Sequence, residues 1–359
     1  MPRLSSVRYL VAGHPGSGFH LRDMAVRAAR LYQRDRWFYS LRRHGRSADR
    51  LPVRPIFVLG LQGGGTTLVS RCLLRHPDVV SMGGNSGYWV ATDELGFVEN
   101  RRRRLPRTLW SSNRRPDLEH PVFGDTHASV YASDELLPAY RNVAEDATEA
   151  DAAALKRLVR EHVAVYAHDT GRARFVDKTH TYTLKIPYLR TLLDDCDPCF
   201  VLVLRNPYSF CVRAVRRKRP SYRVELSYER QLRLAAEHWE NSFRIALADG
   251  ERQPGFVAVR FEDFLARPAE VVERICDVVG LPFESRLVPH PGDRMPFATL
   301  PGDRKWYPLG GDDWIGRVTP DEAAIVDERC GELARQLGYA SPVESSPSSS
   351  LSSPLPDGR

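Results

Sequence analysis

Residues Gly60-Leu-Gln-Gly-Gly-Gly-Thr-Thr67 stand between the apolar run Ile56-Phe-Val-Leu59 and a helical pattern, Thr66-Thr-Leu-Val-Ser-Arg-Cys-Leu-Leu, that closes before Pro77. A buried strand, a glycine cluster and a helix start in that order define the first unit of an α/β layer structure. Backbone N–H groups of such a loop, together with the first turn of the helix, form a cradle for an anion. Gly63, Gly64 and Gly65 let the backbone approach a phosphate closely, and Thr66 and Thr67 add hydroxyl donors. The spacing Gly60-x4-Gly65 imitates a Walker loop, but Thr66 occupies the place of its lysine. A P-loop phosphotransferase would lack the cation that grips its phosphates.

The rest of the chain extends this pattern. Phe200-Val-Leu-Val-Leu204 reads as a second buried strand, bracketed by Pro198 and Pro207, and Val257-Ala-Val-Arg260 as a third. Leu155, Val159, Val163 and Tyr166 recur at helical spacing, and a long helix is expected over about 226–246. Another helix should open at Pro268 and close at Gly280, and a last one is marked by Thr319, Pro320 and Glu322 as a capping box and ended by Gly338. Residues 81–145 show no sustained period and read as long functional loops or an irregular insertion. The fold class expected is α/β: a P-loop-like three-layer domain over 51–340, with a central parallel sheet flanked by helices. A basic extension over 1–50 precedes it and a Ser/Pro-rich disordered tail over 341–359 follows.

Charge and cysteines narrow the function classes. Of the 359 residues, the first 54 carry twelve Arg against three Asp, so the overall +7 belongs to that segment and the remainder is nearly neutral. A nucleic-acid binder is not expected, because basic and aromatic residues are not interleaved elsewhere. The basic segment, with Leu21, Met24, Ala25, Ala28, Ala29 and Tyr32 on one face, reads as a packed extension or as a weak peripheral surface helix. No apolar run has the roughly 18 residues needed to span a bilayer, and no signal-peptide pattern opens the sequence. The six cysteines lie mostly in apolar surroundings, which fits reduced thiols in a cytoplasmic protein. Cys196-Asp-Pro-Cys199 lacks the further ligands of a zinc site, so no metal is expected.

In its glycine loop and three later segments the chain resembles the sulfotransferases that use 3′-phosphoadenosine 5′-phosphosulfate (PAPS). Gly64-Gly-Thr-Thr67 takes the place of the family's Ser-Gly-Thr-Thr, which holds the 5′-phosphosulfate. Val201-Leu-Val-Leu-Arg205-Asn-Pro207 matches the strand whose terminal Arg grips the 3′-phosphate. Asp177-Lys-Thr-His180 resembles the family's Lys-Thr-His, which implies Lys178 as a cation at the transferring group and His180 as the base. Arg304 and Lys305, followed by Gly311-Asp-Asp-Trp314, resemble the late loop that binds the 3′-phosphate. The carboxylates Asp93-Glu94 offer an alternative base, Glu94 being the candidate, whereas Asn85 lies nearer the family position and cannot act as one.

Two departures are visible. Gly63 stands where the family usually carries Lys or Arg, and Arg213 stands where it often has Ser, with Arg217 one turn further on. The resemblance implies PAPS as co-substrate and transfer of a sulfuryl group to a hydroxyl, or an amine, of a small molecule or glycan. A non-catalytic nucleotide-binding protein on the same fold is the alternative that Gly63 motivates.

Overall fold

The computed structural model describes residues 50–85, 88–89, 94–96, 104–113, 115–217, 224–290, 293–296, 303–305 and 314–342. The basic extension expected over 1–50 and the tail over 341–359 lie outside them, apart from Arg50, Ser341 and Pro342.

Strand β1 (Pro55–Leu59) leads through the glycine loop into helix α1 (Thr66–Leu73), then β2 (Val79–Ser81), β3 (Gly84–Asn85) and β4 (Tyr88–Trp89). Helix α2 (Glu149–Tyr166) crosses back to β5 (Arg174–Asp177), and α3 (Ile186–Leu192) leads to β6 (Cys199–Leu204). Helices α4 (Pro207–Arg216) and α5 (Tyr228–Gly250) precede β7 (Phe256–Arg260), followed by α6 (Phe261–Ala266) and α7 (Pro268–Val279). A separate two-stranded hairpin, β8 (Arg294–Pro296) with β9 (Asp303–Lys305), comes before α8 (Pro320–Gln336).

The central sheet runs in the order β4-β3-β2-β5-β1-β6-β7. From β2 to β7 every pairing is parallel, with Phe57 in register with both Asp177 and Phe200. The central parallel sheet expected is present, and β3 and β4 extend it at one edge through antiparallel pairings. These edge strands have only two residues each, too few for period-two alternation to register in a sequence.

Alternation along the inner strands builds the three layers. Ile56 and Val58, with Val201 and Val203, face α1 and α7 through Leu68, Val69, Cys72, Val272 and Ile275. Phe57 and Leu59, with Phe200, Leu202 and Leu204, face the opposite layer, where Trp239, Phe243 and Tyr182 pack. Because both faces are covered, the strands read as continuous apolar runs rather than alternating ones.

End signals behave as expected. Helix α7 has Pro268 in its first turn and Gly280 at φ 66° as its cap, and the Thr319–Glu322 capping box opens α8 with both reciprocal bonds present. All six cysteines are free and buried. Cys199 accepts from Arg174 Nη2 at 3.3 Å and Cys196 lies against Asp195, so the CxxC pair is divided between two structural contacts. Among the described residues no helix is long and apolar enough to cross a membrane, and no cluster of metal-ligating side chains occurs.

Candidate active site

The carboxyl ends of β1, β5, β6 and β7 share one edge of the sheet, and chain order reverses there, since β1 is flanked by β5 on one side and β6 on the other. In open α/β sheets such a switch point is the ligand-binding crevice.

The loop after β1 forms one wall. Gly64 N donates to the Leu61 carbonyl at 2.8 Å, and Gly65, at φ 106°, caps α1 with no side-chain hydrogen bond to the helix N-terminus. The first N–H groups of an α-helix have no intrahelical acceptor, so this end offers donors and a positive dipole to an anion. Gly65 admits no side chain: a Cβ there would stand 2.1 Å from Phe261 Cδ2. Gly63 adopts φ 84°, a left-handed conformation suited to glycine. Gly60 N donates to Thr183 Oγ1 at 2.8 Å and ties the loop to the segment after β5.

Arg205-Asn206-Pro207 divides its work by position. Arg205 directly follows β6, while the Asn206 side chain caps α4 by accepting from Tyr208 N and Ser209 N at 3.0 and 3.2 Å. Pro207 fills the first helical turn, where its missing N–H costs nothing. The Arg205 carbonyl accepts from Trp239 Nε1 at 2.8 Å, and its guanidinium lies over the Phe261 ring at 4.6 Å. Its Nη1 donates to the Gly63 carbonyl at 3.3 Å, and Arg213 of α4 donates to the same carbonyl.

The segment leaving β5 forms the other wall, and its side chains alternate in purpose. Asp177 Oδ1 accepts from Leu95 N at 2.6 Å, and Thr179 Oγ1 accepts from Gly96 N at 3.0 Å, so these two residues fasten the backbone of 94–96. Lys178 and His180 meet the side chain that this backbone carries: Lys178 Nζ is 2.6 Å from Glu94 Oε1, and His180 Nε2 is 3.7 Å from the same oxygen. Asn113 Nδ2 reaches the other carboxylate oxygen at 3.5 Å. Burial pushes the Asp177 carboxyl up to about 7, against the opposing effect of its hydrogen bonds from Leu95 and Thr179.

His180 Nδ1 lies 3.2 Å from the Gly60 carbonyl. A carbonyl oxygen only accepts, so Nδ1 carries the proton and Nε2 is the basic nitrogen of the neutral ring. Tyr131 donates to the His180 carbonyl at 2.9 Å and fixes the backbone. Behind Tyr131, burial lowers His238 to about 3, which keeps that imidazole neutral.

A model of the sulfotransferase family matches residues 55–285, a span that includes both walls of this site. The chain belongs to the sulfotransferase family. Nodulation protein NoeE of Sinorhizobium fredii (strain NBRC 101917 / NGR234) is 25% identical over 324 residues, covering 82% of this chain and 68% of its own. Among solved structures, sulfotransferase STF9 from Mycobacterium avium superposes with a TM-score of 0.51 at 16% identity, covering 90% of this chain and 87% of its own. Mouse sulfotransferase SULT7A1, solved complexed with PAP, gives a TM-score of 0.43 at 14% identity, covering 82% of this chain and 92% of its own.

In this sulfotransferase the edge of the sheet brings together Gly63 to Thr67, Lys178, His180, Glu94, Arg205 and Arg213. Arg217 instead meets Trp314, its guanidinium 5.3 Å from the ring centre, with Arg317 at 5.1 Å. Arg304 and Lys305 lie on β9, paired with Met295 and Arg294 of β8, and their side chains lie outside the described residues, as does Asp93. Asn85 is buried and donates to the Tyr166 carbonyl, a structural contact. Arg104 pairs with Glu161 of α2.

Sequence reasoning assigns no role to Asp177, Thr183 or Phe261. The signal for Asp177 was present, since a carboxylate at the end of a buried strand requires hydrogen-bond partners.

Proposed function

We propose that this sulfotransferase uses PAPS as its sulfuryl donor and transfers the group to a hydroxyl, or an amine, of a small molecule or glycan. The observation that carries this reading is the meeting of Lys178 and His180, from one strand end, at the Glu94 carboxylate, beside the glycine loop and Arg205.

The residues present fit a nucleotide with phosphates at two ends. A helix N-terminus with no side-chain cap, behind the glycine loop, suits the 5′-phosphosulfate, and a guanidinium held at a strand end suits the 3′-phosphate in bidentate fashion. Arg304 and Lys305 on the late hairpin, and Arg217 on α4, are further candidates for the 3′ end. PAPS supplies an activated sulfuryl group on a phosphate leaving group.

The chain's own groups then have distinct tasks. His180 accepts the acceptor's proton at Nε2 as the new bond to sulfur forms, because its Nδ1 proton is committed to Gly60. Glu94 stabilises the resulting imidazolium and holds the Lys178 ammonium in position. Lys178 meets the negative charge that grows on the bridging oxygen as the old bond breaks. An ATP-dependent phosphotransferase is less well supported, since Thr66 replaces the gripping lysine and is buried. Six free, buried thiols support a cytoplasmic location.

Incubation with ³⁵S-labelled PAPS and a panel of hydroxyl and amine acceptors tests the reading. It predicts labelled product together with adenosine 3′,5′-bisphosphate. Tight binding of the bisphosphate with no transfer to any acceptor would favour the non-catalytic alternative.

A further inference from the structure

His180 opens a short 3₁₀ turn, His180–Leu184, that follows β5. Such a turn repeats every three residues, so positions 180 and 183 lie one above the other on a single face. That face meets Gly60, the first residue of the glycine loop, and engages both of its backbone polar groups. Gly60 N donates to Thr183 Oγ1 at 2.8 Å, and the Gly60 carbonyl accepts from His180 Nδ1 at 3.2 Å and from Thr183 Oγ1 at 3.3 Å. Gly60 has little room to yield: it holds φ 136°, and a Cβ on it would stand 2.8 Å from the Val203 carbonyl oxygen and 2.9 Å from Thr66 Cγ2. Between these neighbours its carbonyl is aimed by the Thr183 hydroxyl, which is fully buried.

The imidazole stands between two oxygens that can each accept its proton. The Gly60 carbonyl faces Nδ1, and the Glu94 carboxylate, also bound by Lys178, faces Nε2 at 3.7 Å. A neutral ring carries one N–H, so the two oxygens compete for it. A proton on Nδ1 leaves Nε2 able to take one from a substrate hydroxyl, whereas a proton drawn to Nε2 by Glu94 blocks that nitrogen. On the far side Tyr131 holds the His180 carbonyl, and the neutral His238 behind it brings no charge to the ring.

We propose that Thr183 is a positioning residue: by binding both polar groups of Gly60 it keeps the carbonyl on Nδ1, and so selects the tautomer in which His180 acts as a base. This rests on the reading of His180 as the base. The role needs no contact between Thr183 and either substrate. It ties the protonation of the base to the residue that opens the glycine loop.

Protein labelled with ¹⁵N in its histidine rings reports the tautomer by NMR, because protonated and bare ring nitrogens resonate far apart, and comparison with His180→Asn picks out the His180 signals. Thr183→Val removes the hydroxyl at similar shape, Thr183→Ser keeps it, and thermal melting checks that each variant is folded. The wild type and Thr183→Ser should show the proton on Nδ1. Thr183→Val should shift the proton toward Nε2 and lower kcat by roughly tenfold to a hundredfold, with bisphosphate affinity held within about twofold. Thr183→Ser should recover most of the lost turnover.

If Thr183→Val keeps the proton on Nδ1, Thr183 only fastens the loop and the proposal is wrong whatever happens to kcat. A proton on Nε2 in the wild type overturns it equally, and that measurement needs no variant. Should Thr183→Val fail to melt cooperatively, Thr183→Ala is read in the same way. Undiminished turnover of His180→Asn would overturn the base reading itself, a failure seen in turnover alone and distinct from either tautomer result.

Discussion

Lys178 and Glu94, 84 positions apart in sequence, are joined by a 2.6 Å contact between ammonium and carboxylate at the edge of the sheet. The Lys178 side chain is 3% exposed and that of Glu94 16%, so the pair is shielded from the solvent that weakens surface ion pairs. His180 Nε2 faces the same oxygen at 3.7 Å, so the ammonium and the imidazole meet at one carboxylate.

Removing the imidazole should therefore act on chemistry. His180→Ala is expected to lower kcat by roughly 10²–10⁴-fold with little change in bisphosphate affinity. Glu94→Gln should also lower kcat, and it should shift the pH profile by withdrawing the carboxylate that favours the imidazolium. Near-normal turnover of His180→Ala beside an inactive Glu94→Gln would transfer the role of base to Glu94.

Asp177 should leave a signature in stability against pH. Its carboxyl is raised to about 7 in the folded protein by burial, whereas in the unfolded chain it titrates near about 4. Below both values the group is protonated in each state and costs nothing. Between them the unfolded state releases the proton that the folded state keeps, so the stability from this group declines as pH rises through 4 to 7 and is lost above that. Asp177→Asn should flatten this part of the profile in denaturant titrations, and by loosening 94–96 it should also reduce kcat.

Gly65 allows no substitution. Its Cβ would lie 2.1 Å from Phe261 and its φ is 106°, so Gly65→Ala should destabilise by roughly 1–3 kcal/mol through overpacking, with about 1 kcal/mol more from the backbone. Thermal melting and bisphosphate titration would show lower stability and weaker binding together.

Gly63→Lys tests whether the loop can regain a side-chain cation. With φ at 84°, the substitution should destabilise by about 1–2 kcal/mol and leave turnover unchanged or lower. Faster turnover at unchanged stability would show that the wild-type loop tolerates a side chain and lacks a catalytic cation.

The parts legible in the sequence were those with local signals. The strand, glycine cluster and helix over 56–74 could be read from order alone, and helices α7 and α8 from Pro268, Gly280, Thr319 and Glu322. Strand β5 escaped because its four residues begin with Arg174 and end with Asp177, both buried. Arg174 is accommodated there by donating to the carbonyls of Arg54 and Val279, which no apolar pattern announces. Helix α4 escaped because Pro207 reads equally as the end of a strand and the first turn of a helix.

In the candidate site, Lys178, His180 and Arg205 are singled out by their motifs. Their mutual placement could not be read, since Glu94 reaches Lys178 only because Asp177 and Thr179 bind a distant backbone segment. The convergence of Arg205 and Arg213 on Gly63 likewise depends on the packing of α4 against the sheet edge.

The central claim is that this edge holds a nucleotide bearing phosphates at both its 3′ and 5′ ends. Competition calorimetry between adenosine 3′,5′-bisphosphate and ATP, with and without Mg²⁺, tests it most directly. The bisphosphate should bind at least about tenfold more tightly than ATP or adenosine 5′-monophosphate, and Arg205→Ala should erase that preference. Equal affinity for the bisphosphate and the 5′-monophosphate, or tighter binding of ATP in the presence of Mg²⁺, would contradict it.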